Sequence, residues 1–171
     1  MRWLPFQLNP QIPAEGMPRA EYVARKFGNR KGTYERVAAV GATLGIPFAF
    51  DRITVQPNTV NPHRLLTYAE RAGRQDEMAE ALFRAYFTQG ADLSNPERLA
   101  AIAGEAGLDA AEVAAYLSSD EDRTAVLEAD SNARNSGMVD GVPFFIFNRK
   151  VGVPGAQDAM VLLDALEQSL A

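Results

Sequence analysis

The sequence predicts an α/β fold in which a long helical block lies between short strands. Two observations carry this prediction: helical periodicity through most of residues 18–138, and a Gly-Val-Pro turn that leads into an apolar strand at Pro143–Phe147. Apolar residues make up 47% of the 171 residues and charged residues 23%, which is ordinary for a folded protein. Because no internal repeat or low-complexity linker divides the chain, we expect one domain with a sizeable insertion.

The expected elements at the start are a strand, a loop and two helices. Arg2–Leu8 is predicted as a strand, and the Pro- and Gly-containing segment Asn9–Met17 as a loop. A helix should start at Pro18 and stop near Gly28, and a second should cover Arg30–Gly45. The apolar stripe expected to face the core on this second helix consists of Tyr34, Val37, Ala38, Gly41 and Leu44.

The middle of the chain is predicted to be helical after one extended segment. Ile46–Val55 should be extended because Pro47 breaks the preceding helix. Pro62 is expected to open a helix that ends near Gly73, and Gln75–Thr88 has the clearest amphipathic pattern.

Cap patterns and apolar runs predict the remaining elements. Ser94-Asn95-Pro96-Glu97 is interpreted as a capping box, and Asp109 as the cap of a short helix. A longer helix is expected over Asp120–Gly137, followed by strands at Pro143–Phe147 and Lys150–Val153. The residues of the closing helix that are expected to face inward are Met160, Leu163, Leu166 and Leu170.

Composition excludes several classes of function. The net charge of −5 and the absence of a basic cluster with interleaved aromatics argue against nucleic-acid and anionic-membrane binding. No apolar run is long enough to span a bilayer, and the first residues lack a signal-peptide core, so a cytoplasmic location is expected. With no cysteine and the single histidine His63, we expect no catalytic thiol, no metal site and no cofactor.

Four segments of the chain resemble the DsbA-like branch of the thioredoxin superfamily, and particularly its FrnE-like cytoplasmic members. They are Trp3-Leu4-Pro5-Phe6-Gln7-Leu8-Asn9-Pro10; Asn58-Thr59 followed by Pro62-His63-Arg64-Leu65-Leu66; Gly141-Val142-Pro143-Phe144-Phe145-Ile146; and Gly155-Ala156-Gln157. The resemblance implies an incomplete thioredoxin-like fold with a large all-helical insertion. Residues 1–17 and 139–171 would form the thioredoxin-like parts, and residues 18–138 the insertion.

The resemblance also implies a protein thiol–disulfide oxidoreductase whose Cys-x-x-Cys motif this chain lacks. In such proteins a strand and a Cys-x-x-Cys helix precede the strand expected at Arg2–Leu8. We therefore expect an N-terminally shortened gene model or gene, with a rearranged sheet or a strand borrowed from another chain as alternatives. The chain as it stands is expected to be redox-inactive.

The site residues implied by the resemblance border the expected substrate groove. A cis Val142–Pro143 bond would orient a substrate chain, and Asn58, Thr59 and His63 would lie nearby. From the residues alone, Asn58 and Thr59 are more typical of turns and caps, and His63 of a first helical turn. The charged stretch Arg19–Lys31 is interpreted as a solvated helical face.

Three functional hypotheses remain open on the sequence. The first is the DsbA/FrnE-like oxidoreductase polypeptide, with a thiol- or disulfide-containing protein or small molecule as its substrate. The second is a glutathione-linked enzyme, either a hydroxychromene carboxylate isomerase or a kappa-class transferase. The third is a non-catalytic binding module, for which strand exchange in a homodimer would be a signature.

Overall fold

The computed structural model describes residues 1–28 and 32–171 and is mixed α/β, mostly helical with small sheets. The chain divides into two compact units. The first comprises Met1–Leu4 and Asn9–Val126, and the second comprises Pro5–Leu8 and Leu127–Ala171. Within the described residues, no helix combines the length and apolar character needed to cross a membrane.

Helices provide most of the regular structure. They are α1 (Arg19–Phe27), α2 (Thr33–Thr43), α3 (Val60–Arg71), α4 (Gln75–Gln89), α5 (Pro96–Glu105), α6 (Ala110–Ser118), α7 (Arg123–Asn135) and α8 (Ala159–Leu170). The strands are β1 (Met17–Pro18), β2 (Val55–Gln56), β3 (Phe144–Phe147) and β4 (Val151–Pro154), and a 3-10 turn covers Phe50–Arg52. β1 pairs antiparallel with β2, and β3 pairs antiparallel with β4.

Local sequence signals predicted several helix starts, with two corrections. Asp109 accepts hydrogen bonds from the amides of the second and third residues of α6, which confirms it as a cap. The capping box at Ser94 is wrong, because Asn95 is the cap and accepts from the Arg98 amide at 3.0 Å. α3 begins at Val60 rather than Pro62 because the Asn58 side chain accepts from the Val60 amide and starts the turn earlier.

The expected strand at Arg2–Leu8 does not form as a strand. None of the described strands pairs with it, and side chains satisfy parts of its backbone instead. The Trp3 amide donates to Gln75 Oε1 at 2.9 Å, and Gln75 Nε2 donates to the Trp3 carbonyl at 3.1 Å. A strand is defined by a backbone ladder, so an extended segment held by side chains does not qualify.

A short strand pair that the sequence did not predict joins the end of the first loop to residues 55–56. Met17 pairs with Gln56 and Pro18 with Val55, so only the last residue of the extended segment Ile46–Val55 lies in a strand. Gly16, at φ 81°, makes the pairing possible. A Cβ atom there would lie 2.5 Å from Ser94 Oγ and 2.6 Å from Val55 Cγ1.

The core of the first unit is formed by α3 to α6. Side chains with no exposed surface include Leu65, Met78, Leu99, Ile102 and Val113. α4 and α5 supply about half of this cluster, so the amphipathic pattern predicted at Gln75–Thr88 is confirmed, although Phe83 on α4 is half exposed. Close-packed burial of this kind is the main favourable term in folding.

The predicted inward stripe of the second helix is wrong in part, and that of α8 is wrong. Val37 on α2 and Leu44 just after it are exposed. Gly41 is buried, so close to the Phe48 ring that a Cβ atom would overlap it, and Tyr34 and Ala38 are half-buried. The expected start of this helix at Arg30 lies outside the described residues. On α8 the small residues Ala165 and Ser169 are buried, whereas the residues predicted to face inward are exposed: Met160, Leu163, Leu166 and Leu170. Helical periodicity identifies an apolar face, but not whether a neighbouring element covers it.

Arg64 is almost completely buried and binds the carboxyl end of α6. Its guanidinium donates to four backbone carbonyls at 2.7 to 3.3 Å and to Asn61 Oδ1 at 2.9 Å. The four carbonyls belong to Tyr116, Leu117, Ser119 and Glu121. Arg64 therefore acts as a side-chain cap for carbonyl groups at and just beyond the end of α6, of which the Tyr116 carbonyl also accepts from Ser119.

Replacing Arg64 by leucine should destabilise the protein by about 3–5 kcal/mol, because buried carbonyls lose their donors. Arg64→Lys, which has fewer donors, should recover part of that loss. Arg98→Ala, an exposed arginine on α5, is the control and should change stability by less than about 0.5 kcal/mol. Urea unfolding followed by circular dichroism measures all three, and equal stability of Arg64→Leu and wild type would contradict this role for Arg64.

The N-terminal segment of the second unit is held by Asp130 on α7. The Gln7 amide donates to Asp130 Oδ1 at 2.7 Å, and Arg134 Nε donates to Oδ2 at 3.2 Å. Arg134 also lies over the Phe6 ring, 4.4 Å from its centroid. Burial favours the neutral carboxyl of Asp130, but the hydrogen bonds from Arg134 and Gln7 outweigh it, so the pKa of Asp130 is lowered.

A carboxylate with a lowered folded-state pKa stabilises the fold above its unfolded pKa, and that stability is lost as pH falls through the folded pKa. Asp130→Asn should therefore cost about 1–3 kcal/mol at pH 7. The difference from wild type should shrink below pH ~4, the ordinary carboxyl range. Urea unfolding between pH 7 and pH 3 tests this, with exposed Glu128→Gln on the same helix as the control. A difference that does not change with pH would show that the charge of Asp130 does not matter.

Candidate functional site

The residues singled out from the sequence lie in two places. Val142 and Pro143 precede β3 in the second unit, whereas Asn58, Thr59 and His63 lie at the start of α3 in the first unit. Within each group the residues are neighbours, and the two groups are described in turn.

The Val142–Pro143 bond is cis, as the family resemblance implies, and both residues are exposed. The Pro143 carbonyl accepts from the Gly155 amide at 2.8 Å, which joins the loop to the residue after β4. Among the described residues, the Val142 amide and carbonyl have no backbone partner. The loop thus presents an exposed valine with its backbone groups available.

The edge of β3 that faces away from β4 pairs with no strand of the described residues, and we call it the open edge. In an antiparallel pair, alternate residues direct their amide and carbonyl groups toward the partner strand. The Gly155–Pro143 bond and the pairing of Phe145 with Val153 place residues 143, 145 and 147 toward β4. The amides and carbonyls of Phe144 and Ile146 therefore point to the other side, where no described strand pairs with them.

The side chains along β3 make this edge apolar and fix its shape. Ile146 is half exposed, as is Val142. The Phe145 and Phe147 rings stack on one face with centroids 6.5 Å apart. On the other face, the Phe144 ring covers Gly152, where a Cβ atom would lie 3.0 Å from the ring.

The turn between β3 and β4 holds the open strand in place. Asn148 and Arg149 both have left-handed backbone, with φ 49° and 59°, and the Lys150 amide donates to the Phe147 carbonyl at 2.9 Å. Positive φ at both central residues is typical of hairpin turns that match strand twist. Asn148 Nδ2 also donates to Ser169 Oγ at 3.0 Å, which attaches the turn to α8.

At the start of α3, the polar groups of Asn58 serve the fold. Its Oδ1 accepts from the Val60 amide at 2.9 Å, and its Nδ2 donates to the Ile12 carbonyl at 2.7 Å. Thr59 is the cap residue, and its carbonyl accepts from the His63 amide at 3.0 Å. The oxygen and the nitrogen of the Asn58 side-chain amide are thus both hydrogen-bonded within the protein. The binding roles expected for Asn58, Thr59 and His63 stay predictions.

The cavity beside Asn58 is too small for a substrate. Its volume is about 20 Å³, and it is lined by Ala14, Asn58, Val60, Asn61, Ser94 and Arg123. Ser94 Oγ is buried there without a hydrogen-bond partner among the described residues. A polar cavity of this size has room for one water molecule.

Sequence reasoning missed a cation–aromatic cluster around Arg19. Arg19 and Lys26 lie seven residues apart, a spacing that places both on one face of α1, with Tyr22 between them. This spacing is the feature of the sequence from which the cluster could have been predicted.

Residues 29–31 of the stretch that was interpreted as a solvated face lie outside the described residues. No group of three or more potential metal-ligating side chains occurs in the described part of the chain.

Comparisons with known proteins agree with this architecture. The chain is 22% identical over 160 residues to the uncharacterized protein YwbO of Bacillus subtilis, an alignment that covers 91% of this chain and 75% of that protein. A crystal structure from Streptomyces coelicolor, described as a probable DsbA oxidoreductase, matches with a TM-score of 0.85 and 31% identity. That match covers 96% of this chain and 73% of the other. The family model of the DSBA-like thioredoxin domain matches residues 1–167, and the chain therefore belongs to this family.

Proposed function

We propose that the chain serves thiol–disulfide exchange by binding an extended, cysteine-containing polypeptide along the Val142–Pro143 loop and the open edge of β3. The observation that carries the proposal is the set of outward-facing backbone groups of Phe144 and Ile146. An added strand would satisfy these groups, a mode of recognition in which main-chain hydrogen bonds supply affinity.

The proposal assigns to these residues the binding part of the reaction. In thiol–disulfide exchange, a thiolate attacks a disulfide sulfur, forms a mixed disulfide and releases the other sulfur as a thiolate. None of the 171 residues is a cysteine, so the attacking thiolate comes from outside them. Their contribution is to hold the substrate chain extended and to orient its sulfur.

Two kinds of support favour this function. The chain belongs to the DSBA-like family, and the Streptomyces coelicolor relative is described as a probable DsbA oxidoreductase. The exposed Val142 and Ile146 side chains offer apolar contacts to alternate residues of an added strand. On the four segments quoted above, we assign the chain to the FrnE-like branch.

A non-catalytic binding module is the second candidate, and the absence of cysteine favours it. This module would use the same binding surface as the first candidate, but the sulfur of the bound chain would not undergo thiol–disulfide exchange. A strand from a second copy of this chain could also occupy the edge. A glutathione-linked activity would require the tripeptide to bind saturably.

The open edge predicts that Ile146→Pro weakens peptide binding at least tenfold, because proline removes the outward amide at the centre of the edge. This amide is not used between β3 and β4, so the hairpin should persist. Ile146→Thr keeps the amide and is the matched control, expected within about threefold of wild type (under ~0.7 kcal/mol). Fluorescence anisotropy of a labelled extended peptide with one alkylated cysteine measures the affinities. Equal losses in both variants, or no binding to wild type, would reject the edge as the docking site.

The chemical part of the proposal has its own test. The purified chain alone should not accelerate reduction of insulin disulfides by dithiothreitol, since it contributes no thiolate. Acceleration by the chain would contradict this division of roles. Saturable glutathione binding in a calorimetric titration would favour the glutathione-linked alternative. A stable dimer of defined size that competes with the peptide would favour self-association.

A further inference from the structure

Arg19 is a half-buried cation held among aromatic rings in the first unit. Its guanidinium carbon lies 4.8 Å from the ring centroid of Tyr34 and 5.4 Å from that of Tyr22. Its Nη1 donates to Gln56 Oε1 and lies 3.5 Å from the Tyr86 hydroxyl. These partners orient the guanidinium, but all of them are uncharged.

The other edge of this guanidinium is unused. Within residues 1–28 and 32–171, no side-chain or backbone acceptor bonds to Arg19 Nε or Nη2. No carboxylate of these residues lies within 4.0 Å of Arg19 either; the acidic residue of α1, Glu21, pairs with Arg25. The edge formed by Nε and Nη2 is one that binds a carboxylate or phosphate through two parallel hydrogen bonds.

The position of Arg19 is fixed from several sides. Its backbone amide donates to the Thr54 carbonyl at 2.8 Å, and its partner Gln56 lies in β2. Burial raises the pKa of Tyr86 to about 12, so its hydroxyl stays neutral at physiological pH. A preorganised cation loses little freedom when an anion binds, which increases affinity.

A second cation reinforces the positive charge at this place. Lys26 Nζ donates to the Tyr22 hydroxyl at 2.7 Å and lies 5.3 Å from the Tyr22 ring centroid. Arg19 and Lys26 thus contact the same ring from the same helix. In a chain of net charge −5, two cations on one ring favour an anion between or beside them.

Aromatic surface continues from the Tyr34 ring beside the Arg19 guanidinium. The Tyr34 ring lies 5.0 Å from the Phe50 ring, and Phe50 stacks on Phe48 at 5.0 Å. All three side chains are partly exposed. A ligand bound to Arg19 would therefore meet both a cation and the apolar faces of aromatic rings.

We propose that the Nε–Nη2 edge of Arg19 binds the carboxylate of a small aromatic acid, whose ring rests against Tyr34 and Phe50. The site is separate in its residues from the open edge of β3. It therefore stands or fails independently of the exchange function proposed above.

Isothermal titration of the 171-residue chain at low salt with benzoate, acetate and inorganic phosphate tests the site. Benzoate should bind saturably and more tightly than acetate or phosphate, because only benzoate offers both a carboxylate and a ring. Arg19→Gln should lower benzoate affinity at least tenfold, whereas Arg98→Gln, an exposed arginine on α5, should leave it unchanged. No saturable binding to wild type, tighter binding of phosphate, or equal loss in both variants would overturn the proposal.

A second measurement excludes an effect of misfolding. Arg19→Lys keeps the charge but lacks the two-donor edge, so its benzoate affinity should lie between those of wild type and Arg19→Gln. In wild type, amide resonances of residues 19–22, 34 and 54–56 should shift in proportion to bound benzoate. Shifts confined to other regions would overturn the assignment, even if binding occurs.

Discussion

The buried guanidinium of Arg64 sets the geometry on which the first unit depends. The last carbonyls of a helix lack the amide partners that interior carbonyls have, and at the end of α6 those of Tyr116 and Leu117 bond to the buried Arg64 side chain. Arg64 reaches them from α3, and its positive charge also suits the negative end of the helix dipole. Since four carbonyls and Asn61 share one cation, α3 and α6 cannot shift relative to each other without breaking several bonds.

The polar network around Arg64 continues to the surface through Tyr116 and Asp122. The Tyr116 hydroxyl lies 2.9 Å from the Arg64 carbonyl and 2.8 Å from Asp122 Oδ2. Burial and the bond to Asp122 raise the pKa of Tyr116. Burial would raise the pKa of Asp122, but the bonds from Arg71 and Tyr116 lower it. The network therefore keeps a neutral phenol and an ionised carboxylate side by side, so its hydrogen bonds persist at physiological pH.

The sequence was sufficient where a signal is local. Asp109 supplies its own cap, and the apolar run after Pro143 forms β3 as expected. Prediction from the sequence failed where the local structure depends on residues far away in the chain. The segment Arg2–Leu8 has strand composition, but its backbone bonds to Gln75 and Asp130, which no pattern near residue 2 could indicate.

The same limit applies to the candidate sites. Val142 and Pro143 could be chosen because their motif is contiguous in the chain. The amide of Asn58 was expected near a substrate, yet Ile12 and Val60 occupy both of its ends. Arg19 was interpreted as part of a solvated face, because the sequence cannot show that rings from α1 and α2 surround it.

The two outer edges of the β3–β4 hairpin differ in how well they can pair with an added strand. Phe144 and Ile146 on β3 lie opposite Pro154 and Gly152 on β4. Because their backbone groups point away from the partner strand, the backbone groups of Gly152 and Pro154 also point outward, at the other edge of the hairpin. Pro154 has no amide hydrogen, so the outer edge of β4 lacks a donor that an added strand would need. Proline on an edge strand is one way in which proteins prevent unwanted pairing. The two edges are therefore not equivalent, and an extended chain that pairs with this hairpin is directed to β3, next to Val142.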